Sequence, residues 1–151
     1  MSLIFANGES FATGALQYSY GPATPGETTN RIIMPVEIQG ISTNAVVDTG
    51  APYVICEPQV ARQMGFDPTW AIGREKMLVR GMWLDGSIAR LRVKLEAAIR
   101  TSIDVDATVF VPDVEEFWGN LPSFIGLMGF LERIRFAVDP SIDTFYFGEI
   151  S

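Results

Sequence analysis

The chain contains no histidine, and that absence removes Ser-His-Asp and Cys-His catalysis together with every imidazole ligand for a metal. It has one cysteine, Cys56, which excludes an intramolecular disulfide, a Cys-x-x-Cys redox pair and a thiolate zinc cage; a lone cysteine of this kind is expected as a small buried hydrophobic side chain. Neither Gly-x-Gly-x-x-Gly nor a Walker-type Gly-Lys-Ser/Thr is present, and Gly126-Leu127-Met128-Gly129 lacks the lysine that phosphate binding requires. Positive charge is scarce: 11 basic against 18 acidic side chains give a net charge of -7, which opposes phosphate backbones and anionic membranes and argues against nucleic acid as a partner. No apolar run approaches the roughly 20 residues that cross a bilayer, and Met1 to Gly8 has no basic region ahead of its apolar patch. The expectation is a soluble chain with no membrane segment, the cytoplasm favoured because no signal peptide is visible. Any catalysis must rest on carboxylates.

What is present suits one domain. At 151 residues and 48% hydrophobic side chains the chain is long enough for a core and too short for two. Residues 1–30 are rich in Gly, Thr, Ser, Asn and Pro and predict an arm with little regular structure, followed by a domain over 31–151. From Arg31 the pattern is of short strands. Met34, Val36 and Ile38 alternate with Pro35, Glu37 and Gln39, and Pro35 predicts an edge strand. A turn is expected over Gly40 to Asn44, and a short helix over Pro58 to Met64 with Gly65 as its stop. Asp85-Gly86 between two strand-like runs predicts a hairpin turn. Ile103 to Val111 alternates apolar and polar side chains, Leu127 to Glu132 suggests a second short helix, and Phe145 to Phe147 belongs to a final strand, in the core or at an interface. About eight strands with one or two short helices indicate a mainly β, barrel-like domain.

Asp48 stands out chemically. It follows Ala45-Val46-Val47 at the end of an apolar strand, and no Lys or Arg lies in sequence between Arg31 and Arg62. A carboxylate buried there without a partner is costly, so its site must offer hydrogen bonds, water or a shared proton. Gly50 permits the tight bend that turns the carboxylate outward, and Thr49 supplies a hydroxyl to lock the loop. Asp-Thr-Gly alone is a weak signal, readable as an ordinary turn. The apolar lead-in, Ala51, and the apolar-apolar-glycine run Phe124-Ile125-Gly126 strengthen it. The other acidic pairs, Glu115-Glu116 and Asp104 with Asp106, read as solvated, and no metal or other cofactor is implied.

Over roughly residues 31 to 148 the sequence resembles the retropepsin-like aspartic proteases, the retroviral type and its bacterial single-domain relatives. The resemblance implies a closed acid-protease barrel with an Asp-Thr-Gly active-site loop, a β-hairpin flap over the cleft, and an apolar-apolar-Gly motif supporting the loop. It assigns Asp48 as the catalytic carboxylate, Thr49, Gly50 and Ala51 as the active-site loop, and Ile125 and Gly126 as the support. Leu78 to Val93 take the flap's place, with Gly81, Met82 and Trp83 as flap and substrate contacts. Three features depart from the pattern: Pro52 after the motif, a flap with Gly81 and Gly86 but no glycine-rich run, and Leu127-Met128 where viral members often carry Arg-Asp. One Asp-Thr-Gly per chain implies a homodimer, because the mechanism needs two carboxylates sharing a proton around one water. The expected activity is an aspartic endopeptidase acting on a peptide or protein. Two alternatives stay open: a catalytically silent peptide-binding or dimerisation module on the same fold, and a small barrel for an apolar ligand in which Asp-Thr-Gly is a surface turn.

Overall fold

The computed structural model describes residues 3–150. In chain order it comprises β1 (Gly14–Gln17), β2 (Ser19–Gly21), β3 (Arg31–Ile38), β4 (Ile41–Val47), β5 (Val54–Ile55), α1 (Pro58–Met64), β6 (Gly73–Val79), β7 (Met82–Leu95), β8 (Ile99–Arg100), β9 (Ile103–Pro112), β10 (Ser123–Ile125), β11 (Ile134–Asp139) and β12 (Thr144–Glu149), with 3-10 turns at Pro68–Trp70 and Leu131–Arg133. Period-two burial drives the strands. In β9, for example, Ile103, Val105 and Ala107 are buried while Asp104 and Asp106 face water.

The strand pairings form a circuit. β3 pairs with β4, β4 with β10, β10 with β5, β5 with β9 and β9 with β7; β7 then returns to β3 through Glu37↔Lys94 and Ile38↔Val93. This is the closed arrangement expected of a β domain that leaves few free edges. Met34, Val36, Ile38, Val93, Leu95 and Val109 pack in the main core. β2 and β6 extend the sheet as additional strands on β3 and β7. A separate four-stranded sheet, in the order β11-β12-β1-β8, joins the two ends of the described chain, and Phe145 and Phe147 are fully buried beneath it. The aromatic stripe near the C-terminus therefore lies in the core.

Helix α1 spans Pro58–Met64 as its local signals require: proline occupies the first turn, and Gly65 ends it in the left-handed region with φ 68 and ψ 40, its N–H returning to Ala61 and Arg62 carbonyls. No helix among the described residues is long and apolar enough to cross a membrane.

Several local expectations give way to longer-range pairing. The arm expected to carry little regular structure contributes β1, held between β12 and β8, and β2 on β3. Tyr18 between them is buried, whereas Tyr20 is exposed. Pro35 does not mark an edge strand: β3 is paired along its length with β4, and on its other side β2 reaches Ile33 while β7 begins at Glu37, so Pro35 sits in the gap where no donor is needed. The turn expected over Gly40 to Asn44 is the two-residue turn Gln39-Gly40, with φ 48 and 81, and Ser42 to Asn44 belong to β4. Leu127 to Glu132 is a run of turns ending in the 3-10 segment Leu131–Arg133.

The expected hairpin is present but turns elsewhere. β6 and β7 pair from Gly73↔Ile88 to Val79↔Met82, so the turn is Arg80-Gly81, with φ 50 and 82, and Asp85-Gly86 lies inside β7. Gly86 is there for packing: a Cβ on it would stand 2.5 Å from the Phe110 ring and 2.5 Å from the Val111 carbonyl oxygen. Gly86→Ala is accordingly expected to destabilise the protein, because overpacking of about 1–3 kcal/mol exceeds the gain of about 0.4–1 kcal/mol from a stiffer unfolded chain. A urea midpoint equal to or above that of the wild type would contradict this packing role.

Candidate active site

β4 carries the chain to Asp48 alongside β10, with Ser123↔Ala45, Phe124↔Val46 and Ile125↔Val47 in parallel register. One residue on, the Asp48 N–H donates to the Ile125 carbonyl at 2.9 Å. The loop then folds on itself: the Gly50 N–H donates to Asp48 Oδ1 at 2.9 Å, and the Ala51 N–H to the Asp48 carbonyl at 3.0 Å. The Leu127 N–H completes the lock by donating to the Ala51 carbonyl at 2.9 Å. Between these bonds lies Gly126, where a Cβ would fall 2.1 Å from the Tyr53 carbonyl oxygen and 2.4 Å from that of Ala51. Only glycine fits. Ile125, buried in the main core, anchors this support.

Asp48 is half-buried and opens onto a cavity of about 190 Å³ between its loop and the β6–β7 hairpin. Gly50, Ala51 and Pro52 line the loop side, and Met77, Leu78, Val79 and Arg80 the hairpin side. Ile55 and Phe124 add apolar walls, and Arg31 brings a second guanidinium to it. The stretch of sequence around Asp48 lacks cations, yet the fold brings two to its cleft.

Not every expected site residue lies here. Thr49 is exposed and its hydroxyl makes no hydrogen bond among the described residues, so main-chain groups do the locking. Gly81 forms the hairpin turn, Met82 tucks against the cluster of Met77, Val79 and Leu84, and Trp83 is 66% exposed, opposite Leu78 across the strands. None of these three lines the cavity. Sequence reasoning missed Met77, Arg31 and Glu27, and it included Val79 and Arg80 only within the Leu78 to Val93 flap span, without naming them as contacts. For the hairpin the signal was available, since Met77 and Val79 mirror Leu84 and Met82 about Arg80-Gly81.

Glu27 organises the two arginines. Its side chain is only 8% exposed; Oε1 accepts the Arg31 Nε–H at 3.1 Å and lies 3.0 Å from Arg31 Nη2 and 3.6 Å from Arg80 Nη2 as an ion pair with each, while Oε2 accepts the Ala23 N–H at 3.0 Å. Burial works to raise this carboxyl, but the Ala23 N–H and the two guanidiniums outweigh it and hold the group below the usual carboxylate range. Beside the loop, burial and then a hydrogen bond to Glu75 push the Tyr53 phenol up, linking the loop to β6. Burial pushes the Cys56 thiol up to about 12, so it supplies no thiolate near neutral pH. Among the described residues no group of three or more Cys, Asp or Glu side chains is placed to hold a metal.

The glycine contact makes a sharp prediction. Gly126→Ala must push the Asp48 loop off β10, because the clashing atoms are backbone, and the expected cost is about 1–3 kcal/mol with loss of amide-exchange protection at Asp48 and Leu127. Unchanged protection at both amides would show that the loop does not depend on this contact.

The sequence profile of a family described as aspartyl protease matches residues 34–116, more than half of the chain. No curated protein matches it. Among solved structures, a retropepsin-like aspartic protease from Rickettsia conorii aligns with TM-score 0.56 and 19% identity over 91% of this chain and 94% of its own. The retroviral protease-like domain of Ddi1 from Leishmania major aligns with TM-score 0.45 and 19% identity over 78% of this chain and 94% of its own. With a retropepsin-like fold, an Asp-Thr-Gly loop at a cleft and a profile that covers both that loop and the β6–β7 hairpin, the chain belongs to the aspartyl protease family.

Proposed function

We propose that the protein is an aspartic endopeptidase that acts as a homodimer. The observation that carries this reading is the placement of Asp48: a half-buried carboxylate on a loop held by main-chain bonds, facing a cavity under a hairpin. The chain has no second Asp-Thr-Gly, since Asp143-Thr144 is followed by Phe145. A twofold axis through the cleft supplies the second carboxylate. Leu127 and Met128 support such an assembly, because both are exposed apolar side chains directly after Gly126, beside the loop that a second copy would meet.

In this reading the two Asp48 carboxyls share one proton. The unprotonated one takes a proton from water as the water oxygen bonds to the scissile carbonyl carbon, and the protonated one donates to the carbonyl oxygen. Collapse of the tetrahedral intermediate passes a proton to the leaving nitrogen. The peptide lies extended, held by main-chain hydrogen bonds with apolar side chains toward Ile55, Met77, Val79 and Phe124. Trp83 and Leu78, exposed on the hairpin, close over the peptide or pack on the partner's flap, excluding water. The rival reading, a silent peptide-binding module, draws on the ion pair that ties the hairpin tip to Glu27 and on the absence of a glycine-rich flap. The intact Asp48-Thr49-Gly50 favours turnover.

Asp48→Asn is expected to cut cleavage of a mixed peptide library by at least about a thousandfold with an unchanged circular dichroism spectrum. A threefold excess of that variant over wild type should lower activity per wild-type chain to about one quarter, as random pairing requires. Equal cleavage by the variant refutes the mechanism, and sedimentation as a monomer at full specific activity refutes the composite site.

Trp83→Ala separates flap from core. An exposed flap residue is expected to change KM or kcat while stability stays within about 0.5 kcal/mol. A loss of about 3–5 kcal/mol with unchanged kinetics would mark Trp83 as a packing residue.

A further inference from the structure

We propose that Arg31 and Arg80 form a carboxylate-binding subsite in the Asp48 cleft, positioned by Glu27, so that the protein selects peptides bearing an acidic group. This rests on reading the cleft as the peptide site. In a chain of net charge -7 with only 11 basic side chains, two arginines line the cavity onto which Asp48 opens. Glu27 lies outside that lining and shares its single negative charge between two guanidiniums, so the arginine pair carries one positive charge beyond that of its own partner, with the Asp48 carboxyl the other charged group of the cleft.

The two arginines are engaged unequally. Arg31 donates its Nε–H to Glu27 Oε1 and holds Nη2 at ion-pair distance, whereas Arg80 approaches the same oxygen only at 3.6 Å and donates no hydrogen bond among the described residues. Its planar fork of N–H groups is therefore available for a carboxylate, the ligand whose two oxygens match that fork. The backbone supports the same conclusion. Arg80 occupies the first position of a two-residue hairpin turn at φ 50, where Asn, Asp or Gly is favoured and an arginine is strained. A residue kept there against local preference places a cation at the flap tip, over the cleft. The carboxylate has two sources in a peptide, an Asp or Glu side chain or the terminal carboxyl group.

The test uses binding, so that it survives a failure of turnover. Three fluorescent, N-acetylated peptide pools with random apolar positions are titrated against the full-length Asp48→Asn protein by anisotropy: one with a fixed Glu and an amidated end, its Gln twin, and the Gln twin with a free C-terminal carboxyl. The Glu pool is expected to bind at least about tenfold more tightly than the Gln pool, with the ratio falling as salt rises. Adding Arg80→Gln should bring the ratio to about one, and Arg80→Glu should turn the preference toward a matching Lys pool, an inversion that mere loss of folding does not produce. Tighter binding of the free-carboxyl twin alone assigns the subsite to the peptide terminus. Equal binding of all three pools, or binding of none, overturns the proposal; equal cleavage of the pools by wild type then leaves the protease reading intact. Acid-selective binding without cleavage by the wild type keeps the subsite and ends the turnover reading.

Discussion

The site depends on one main-chain contact. β4 and β10 run parallel and end together, and the next residues of each, Asp48 to Ala51 and Gly126 to Leu127, are bonded backbone to backbone. Parallel strands have no hairpin to align them, so register must come from elsewhere. Here it comes from the fit at Gly126, where the Ala51 and Tyr53 carbonyls approach too closely for any side chain. The carboxylate is thus placed by groups that cannot change rotamer, which holds a reacting atom more firmly than a hydroxyl does. That explains why Thr49 faces solvent within one chain while the loop stays ordered.

A half-site has consequences for the rest of the surface. In the proposed homodimer the loop meets its own copy and is left uncovered by its own chain, and the exposed apolar Leu127 and Met128 beside it fit that proposal. The hairpin shows the same division. Its inner face, Met77, Val79 and Leu84, is buried against Phe110 and Phe124, whereas its outer face presents Leu78 and Trp83. Period-two alternation gives a strand one face for the core and one for something else.

Features determined by neighbours in sequence were legible: α1 with its proline and Gly65, the alternation of β9, and the Asp48 loop with its glycine support. The failures share a cause. Gly86 resembles a turn residue but is required by the Phe110 ring, more than twenty residues away. Pro35 resembles an edge marker but fills a gap between two partners of β3. The arm resembles a linker because β1 contributes four residues whose order comes from β12 and β8. Within the site, Asp48, Ala51 and Gly126 could be found from pattern, while Arg31 and Glu27 could not, since nothing local reveals that the arm reaches the cleft.

Glu27 shows why that reach requires two arginines and not one. Exposed ion pairs contribute little, and both guanidiniums are about a third exposed, but their shared carboxylate is nearly buried. Stranding a buried charge costs more than its pair gains, so a hairpin tip held by a single arginine could lift only by leaving Glu27 unpaired. Arg31 and the Ala23 N–H stay with Glu27 on the arm. Arg80, at the longest distance of the three, is the loosest of these partners, so the hairpin tip is tied to the arm by the weakest contact Glu27 makes.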